Sequence, residues 1–204
     1  MIHIVDYKTG NLGSIKNMLK RLGENSVISD DSEILKEANK IILPGVGSFD
    51  KGLKSLKNLK LLPILNQKAK IEKVPILGIC LGAQLMTNGS EEGEEEGLGW
   101  VNAYTHRFKI ENKIKYKVPH MGWCEVSPHK DSKLMLNMYE NARFYFVHSY
   151  HMTFIDIDQV LLTAKYSYNF HAAFENENFL GVQFHPEKSH KYGMRILKNF
   201  IENY

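Results

Sequence analysis

The segment that most constrains the fold is a short apolar strand that runs directly into a helix, with a cysteine at the junction. It reads Pro75-Ile-Leu-Gly-Ile-Cys-Leu-Gly-Ala-Gln84, and Cys80 stands between Gly78 and Gly82. A buried strand followed at once by a helix is typical of a parallel sheet covered on both faces. The glycines two residues either side of Cys80 predict a sharp turn, where larger side chains would collide with neighbouring elements.

The remaining chain favours the same fold class. In the first half, apolar runs at residues 2–5, 27–28, 40–43 and 74–79 alternate with segments of helical spacing, including two between residues 48 and 70 on either side of Pro63. In the second half, aromatic and β-branched runs predict antiparallel strands at residues 100–108, 116–126, 144–154 and 160–166, and a hairpin of 170–174 with 179–184. A last helix is predicted at about residues 189–201. We therefore predict one α/β domain over residues 1–204, with a central, mostly parallel sheet, flanking helices and antiparallel strands in the C-terminal half.

Composition excludes several classes of function. The net charge of +3 is too small, and the lysines and arginines too scattered, to indicate a nucleic-acid-binding protein. No apolar run reaches the roughly 18 residues of a membrane span, and the N-terminus lacks the features of a signal peptide, so we expect a cytoplasmic protein. The acidic run at residues 91–96 predicts a solvated surface loop. With only two cysteines and no Cys-x-x-Cys pair, we expect neither a disulfide nor a metal site.

Cys80 has the surroundings of a nucleophile. The helix that follows it presents unpaired N–H groups and a positive dipole end, which favour a thiolate over a thiol. The N–H of Leu81 would point toward the oxyanion that forms when the sulfur attacks a carbonyl. The alternative is a buried structural cysteine, with glycines that only allow close helix–sheet packing.

A second motif supplies the base that such a nucleophile needs. His185 ends an apolar strand, Pro186 halts that strand, and Glu187 follows. A carboxylate at this spacing can accept the ring N–H of His185 and leave the other nitrogen to take the thiol proton. By itself the motif is more typical of a surface histidine before a turn proline. Together, the cysteine turn and His185 predict a Cys-His-Glu triad.

A glycine-rich loop follows the strand that ends at Leu43. Gly45 and Gly47 flank Val46 there, and glycines let a backbone approach a ligand closely and direct an N–H at it. A phosphate-binding loop is the rival interpretation, but the chain has no Gly-Lys-Ser/Thr sequence after these glycines. We therefore predict that the loop of Gly45, Val46 and Gly47 supplies a second oxyanion donor.

These motifs resemble those of the class I, triad-type glutamine amidotransferases. Within that class the chain resembles the glutaminase subunits of imidazole glycerol phosphate synthase. The resemblance runs nearly end to end, through residues 6–12, 43–49, 78–84, 90–93, 97–99, 118–123, 145–150 and 181–189. The cysteine turn and His-Pro-Glu specify the class, whereas Pro-His-Met-Gly-Trp, Phe-Val-His-Ser-Tyr and the Lys-Ser after Glu187 specify the histidine-pathway branch.

The resemblance implies a substrate, a mechanism and a partner. Cys80 would attack the side-chain amide of L-glutamine, His185 would move protons, and Glu187 would orient His185. Four residues would hold the amino-acid end of the substrate: Gln84, His148, Ser149 and Tyr150. Ammonia would pass to a cyclase subunit of (β/α)₈ type in a heterodimer, with Lys188, Asn11 and Met121 at the interface. No metal or organic cofactor is implied.

One position departs from the family pattern and keeps alternatives open. Cys124 stands where Asn usually follows Met-Gly-Trp, which replaces a strongly hydrogen-bonding amide by a weak thiol. We expect Cys124 to be a packing residue. The departure raises the chance of a paralogue that feeds ammonia to a cyclase-like partner in surface-sugar biosynthesis, which is the alternative to the histidine-pathway subunit. A cysteine peptidase or γ-glutamyl hydrolase, and a non-catalytic binding subunit, are further alternatives from other functional classes.

Overall fold

The computed structural model describes residues 1–204, and its first half alternates strands with helices. The elements of this half are β1 (Ile2–Val5), α1 (Leu12–Arg21), β2 (Ser26–Ser29), α2 (Ser32–Lys36), β3 (Ile41–Leu43), α3 (Phe49–Asn58), α4 (Leu62–Asn66), β4 (Ile76–Ile79) and α5 (Leu81–Leu85). A π-helical turn, Gln67–Ile71, extends α4. None of the helices has the length and apolar composition needed to cross a membrane.

The second half consists mainly of strands. Its elements are β5 (Ala103–Arg107), β6 (His120–Pro128), β7 (Arg143–His148), β8 (Tyr150–Phe154), β9 (Val160–Tyr166), β10 (Tyr168–Asn176), β11 (Phe179–Val182) and α6 (His190–Asn203). Short 3₁₀ turns lie at Lys133–Met135, Ile157–Gln159 and Pro186–Lys188.

Local sequence explains where the helices begin. Asp31 caps α2, and its side chain accepts the backbone N–H of Glu33 at 2.8 Å. Pro63 lies in the first turn of α4 instead of between two helices as we predicted, because the first turn of a helix tolerates a residue without an N–H.

All eleven strands belong to one mixed sheet. Its order is β2-β1-β3-β4-β11-β10-β9-β6-β7, and β8 joins β5 to β10. The first five strands in that order are mutually parallel, and the rest pair antiparallel. This confirms the predicted fold class. The predicted hairpin is formed by β10 and β11, where Asn176 pairs with Phe179.

Two predicted strands have different bounds. The run at 144–154 divides at Ser149 into β7 and β8, which pair with different neighbours. The run at 116–126 begins as a strand only at His120, after Pro119, whose nitrogen has no hydrogen to donate to a ladder.

Helices cover both faces of the parallel strands, and each face has its own apolar core. On one face, α1 and α6 pack with Ile15, Leu19 and Phe200 fully or almost fully buried. On the other face α3, α4 and α5 pack against the sheet. Because β4 and β11 are parallel neighbours with Ile79 opposite Val182, the residues that follow both strands emerge side by side at one edge. This edge is where the predicted catalytic residues meet.

Candidate active site

Cys80 occupies a strained turn between β4 and α5. Its φ of 52° lies in the left-handed region, which residues with a side chain rarely adopt. The flanking glycines are required sterically. A Cβ on Gly78 would lie 2.6 Å from the Ala83 Cα, and one on Gly82 would lie 1.7 Å from the Leu43 carbonyl oxygen. The turn holds the thiol at the edge of the sheet and at the start of a helix, as a nucleophile requires.

His185 and Glu187 form a buried pair next to this turn. The Oε1 atom of Glu187 lies 2.8 Å from the Nδ1 atom of His185, and the two side chains are only 4% and 1% exposed. The carboxylate accepts the Nδ1–H of His185, so that Nε2 is the ring nitrogen left for proton transfer. This Nε2 atom is buried and has no hydrogen-bond partner. The hydroxyl of Ser189 donates to the carbonyl of His185 at 2.6 Å and fixes the backbone there.

The environment of His185 makes it a strong proton acceptor. Burial alone would lower its pKa, but the Cys80 sulfur and the Glu187 carboxylate together raise the pKa to about 10. An imidazole with a raised pKa beside Cys80 is suited to take the proton of an attacking thiol.

One of the predicted oxyanion donors, the backbone N–H of Leu81, is occupied within the protein. The N–H of Leu81 donates to the carbonyl of Gly45 at 3.3 Å. The carbonyl of Gly45 is thus directed toward the start of α5, and a donor from the loop of residues 45–47 stays a prediction. Val46 and Gly47 do line the cavity beside Cys80, and Gly47 has a φ of 107°.

A cavity of about 260 Å³ opens over Cys80. The predicted residues that line it are Val46, Gly47, Leu81, Gln84, His148, Ser149 and Tyr150. Two larger clefts, of about 960 and 710 Å³, are lined by residues 125–142 and 107–118 and contain no triad residue. No group of three or more histidine, cysteine or acidic side chains is arranged to hold a metal ion.

Two of the predicted substrate-binding groups are occupied within the protein. The amide nitrogen of Gln84 donates to the Tyr150 carbonyl at 3.1 Å and to Gln183 Oε1 at 3.0 Å. Both ring nitrogens of His148 are also used, by the Tyr150 carbonyl at 2.7 Å and by His120 at 3.2 Å. The amide oxygen of Gln84 accepts neither of these bonds and keeps its lone pairs for a ligand. Gln84, His148, Ser149 and Tyr150 all line the cavity, and their role in holding the substrate stays a prediction.

Sequence reasoning missed Glu92 and Gln183. The prediction of a solvated loop was wrong for Glu92, which lines the cavity, while its Oε2 accepts the N–H of Phe49 at 2.9 Å. It is the only carboxylate in that lining. The sequence did not distinguish it from the neighbouring glutamates, because a run of like charges predicts a solvated loop. Gln183 is fully buried and its amide nitrogen lies 3.6 Å from the Cys80 sulfur. The available signal was its position two residues before His185 in the apolar run that the sequence predicts as a strand, since alternate residues of a strand share a face; in the structure β11 ends one residue earlier, at Val182.

The residues predicted to contact a partner lie on the surface. Lys188 is exposed, and its ammonium lies 5.7 Å from the centre of the Tyr145 ring. Asn11 is exposed too, and its side chain caps α1. Met121 is 62% exposed, and Trp123, two residues along β6, is 42% exposed. Exposed large apolar side chains next to the triad segment fit an interaction surface.

Cys124 has none of the features of Cys80. Its thiol is half-buried on β6 and donates to the carbonyl of Lys165 at 3.4 Å. Burial raises the pKa of the thiol, which disfavours the reactive thiolate. The structure thus gives Cys124 a packing role.

Comparisons with known proteins agree with the fold. Residues 3–204 match the family described as glutamine amidotransferase class-I. The chain is 52% identical to the imidazole glycerol phosphate synthase subunit HisH 2 of Methanococcus maripaludis and 46% identical to the HisH 2 subunit of Pseudomonas aeruginosa, with 99% of each chain covered. It is 41% identical to the HisH 1 subunit of M. maripaludis, again over 99% of both chains.

A solved structure shares the fold at lower sequence identity. The glutaminase domain of Trypanosoma brucei CTPS, determined with bound acivicin, superposes with a TM-score of 0.67 at 19% identity and covers 100% of this chain and 94% of that one. The strained cysteine turn, the His185–Glu187 pair and these matches place the chain in the class I glutamine amidotransferase family. Within that class it belongs to the HisH subunits of imidazole glycerol phosphate synthase.

Proposed function

We propose that this chain is the glutaminase subunit of imidazole glycerol phosphate synthase, which releases ammonia from L-glutamine for histidine biosynthesis. The single observation that carries the proposal is the Cys80, His185 and Glu187 constellation at one edge of the sheet, with a 2.8 Å contact between base and carboxylate. We further propose that residues 1–204 form a single amidotransferase domain that works without a cofactor.

The geometry supports the following reaction. The Cys80 sulfur attacks the side-chain carbonyl carbon of glutamine, and the proton held by His185 moves to the departing nitrogen, which leaves as ammonia. A thioester to Cys80 remains. His185 then takes a proton from water, which attacks the thioester and releases glutamate and the sulfur. Glu187 keeps the imidazole in the required tautomer throughout.

The lining of the cavity suits an amino acid. Glu92 supplies one negative charge beside Cys80 and would pair with the α-ammonium group of glutamine. A cavity of about 260 Å³ admits one small substrate. The residues at its rim, Ser149 and Tyr150, would then contact the carboxylate end. Gln84 and His148, which line the same cavity, would hold the amino-acid end of the substrate with them.

The proposed partner is a cyclase subunit of (β/α)₈ type that forms a heterodimer with this chain. It would receive the ammonia and use it, with a phosphoribulosyl-formimino carboxamide nucleotide, to close an imidazole ring. Lys188, Asn11 and Met121 would lie at that interface. Their exposure near the triad segment supports this arrangement.

A second candidate function is supported by two observations. Cys124 stands where the family usually has Asn, and the chain is more similar to the second HisH of M. maripaludis, at 52% identity, than to the first, at 41%. An organism with two such subunits has one available for another acceptor. The second candidate is therefore a glutaminase that supplies ammonia to a cyclase-like partner acting on a surface-sugar precursor.

One experiment tests the function and separates the candidates. The purified chain is mixed with either the cyclase subunit or the cyclase-like protein of the same organism, and glutamate formation from glutamine is measured. The proposal predicts that the cyclase subunit with its nucleotide raises the rate of hydrolysis. Activation only by the cyclase-like protein would favour the second candidate. No glutamate with either partner, or cleavage of peptides or polyglutamate tails instead, would contradict both.

A further inference from the structure

A continuous line of hydrogen bonds connects a backbone carbonyl to the nucleophile. The amide nitrogen of Gln84 donates to the carbonyl of Tyr150 at 3.1 Å and to the Oε1 atom of Gln183 at 3.0 Å. The amide nitrogen of Gln183 then donates to the Cys80 sulfur at 3.6 Å. Gln183 is fully buried and Gln84 is 5% exposed, so bulk water does not compete for these bonds.

The line has only one possible direction. A backbone carbonyl can only accept, so Gln84 must direct its nitrogen at Tyr150. The second hydrogen of that nitrogen requires an acceptor, which is Gln183 Oε1. Gln183 must therefore present its own N–H₂ group to the sulfur. The Tyr150 carbonyl, which can only accept, thus determines that Gln183 donates a hydrogen bond to the Cys80 sulfur.

Two histidines hold the start of this line. His148 lies 2.7 Å from the Tyr150 carbonyl through Nδ1, which must carry the hydrogen because the carbonyl only accepts. Its Nε2 is then an acceptor and receives the Nδ1–H of His120 at 3.2 Å. His120 is the first residue of β6, next to the exposed Met121. The Tyr150 carbonyl is consequently restrained from two sides.

We propose that Gln183 is a catalytic residue that stabilises the Cys80 thiolate by hydrogen bonding, and that Gln84 and His148 are positioning residues that fix its orientation. The inference rests on the proposed glutaminase function. An N–H donor favours the anionic form of sulfur over the thiol. The same donor remains directed at the sulfur when the thioester breaks and the thiolate leaves. Hydrogen bonds to charged groups of this kind change such equilibria by about tenfold to a hundredfold.

Other ionisable groups surround the sulfur and have to be separated from this effect. They are His185 and Glu187 after β11, Tyr7 after β1, Glu92 at the cavity, and His148 at the end of β7. None of these groups is hydrogen-bonded to the Gln183 side chain, whose partners are Gln84 and Cys80. Gln183 also does not line the substrate cavity, so its loss should change the reactivity of Cys80 and leave substrate affinity almost unaltered.

The test replaces the donor without changing shape, by Gln183→Glu. In a Cys124→Ser background Cys80 is the only thiol, and its rate of alkylation by iodoacetamide is measured against pH. We expect the acid limb of this profile to move to higher pH and the rate at neutral pH to fall about tenfold or more. With glutamine and the partner, kcat should fall by a similar factor while KM changes less than about threefold. Gln84→Glu should move the profile in the same direction.

Gln67→Glu is the matched control, because Gln67 is exposed on the π-helical turn and makes no hydrogen bond to a triad residue; its profile should coincide with the parent. Gln183→Met, which removes the donor, keeps the length and adds no charge, must move the profile in the same direction as Gln183→Glu. An unchanged alkylation profile in a folded Gln183 variant would overturn the inference. Alkylation does not depend on glutamine, so this result is independent of whether the proposed function holds.

Discussion

The carbonyl oxygen of Gly45 lies 3.3 Å from the amide nitrogen of Leu81 and accepts its hydrogen bond. This amide belongs to the residue after the nucleophile, where an oxyanion donor is needed. The isolated chain therefore has a nucleophile, a base and an orienting carboxylate, but its main oxyanion donor is occupied. Removing one such donor typically costs about 3 kcal/mol of transition-state stabilisation. If the Leu81 amide serves as the oxyanion donor, we expect efficient hydrolysis to require that the loop at residues 45–47 rearranges.

The first prediction concerns the packing of that loop. A Cβ on Gly45 would lie 2.1 Å from the Tyr7 hydroxyl, so Gly45→Ala should destabilise the fold by about 1–3 kcal/mol and strongly reduce hydrolysis. Adding Tyr7→Phe removes the clashing oxygen, which is buried without a hydrogen-bond partner, and should restore most of the stability. Urea unfolding of the two single variants and the double variant measures this coupling. Additive effects would contradict the predicted contact.

The second prediction concerns Glu187. Glu187→Gln removes one of the two groups that raise the pKa of His185, so that this pKa should fall below about 10. NMR titration of the His185 ring measures the change. Activity should fall about a hundredfold or more, yet remain above that of His185→Ala, since some residual activity needs only the right tautomer. Equal loss in both variants would mean that Glu187 does more than orient the imidazole.

The third prediction concerns Lys188. Because it is exposed and directly follows Glu187, Lys188→Ala should leave hydrolysis by the isolated subunit nearly unchanged. In the complex it should lower glutamine-dependent synthesis and spare ammonia-dependent synthesis. The ratio of the two rates measures this, with Lys198→Ala, an exposed lysine on α6, as control. An unchanged ratio at saturating partner would exclude a coupling role, and an equal fall in both rates would indicate damaged folding.

The fourth prediction concerns acid stability. Burial lowers the pKa of His148 to about 3 and those of His120 and His151 to about 4. Below pH 6.5, the ordinary pKa of a histidine, the unfolded chain binds protons that the folded chain excludes. Each histidine should therefore remove about 1.4 kcal/mol of stability per pH unit between about pH 6 and its folded pKa. His185 does not oppose this trend, because it is protonated in both states over that range.

Urea midpoints measured from pH 7 to pH 4.5 test this. His151→Phe should make the loss with falling pH shallower, whereas His129→Gln, at an exposed position, should not change it. A flat profile for the wild-type protein over this range would show that the buried histidines take up protons without unfolding.

The sequence predicted those parts of the site that depend on local chain geometry. The turn at Cys80 is set by Gly78 and Gly82, and the His185–Glu187 contact spans two residues. Local spacing determines both arrangements, so both were readable in advance. The fold class followed from strand and helix periodicity for the same reason.

What the sequence did not reveal depends on long-range packing. The hydrogen bond from Leu81 to Gly45 joins loops that are far apart in the chain. The occupation of Gln84 and His148 depends on the position of the Tyr150 carbonyl, which only the pairing of β7 and β8 with their neighbours determines. Glu92 was hidden among like charges, since a charge run does not indicate which member turns inward.

The most direct test of the central claim is the comparison of Cys80→Ala with wild type in complex with the cyclase subunit. Glutamate formation and product synthesis are measured with glutamine or with ammonium salt as the nitrogen source. We predict that the variant forms no glutamate and makes no product from glutamine, while synthesis from ammonium salt proceeds at the wild-type rate. Hydrolysis of glutamine by the variant at more than a trace rate would contradict the assignment of Cys80 as the nucleophile.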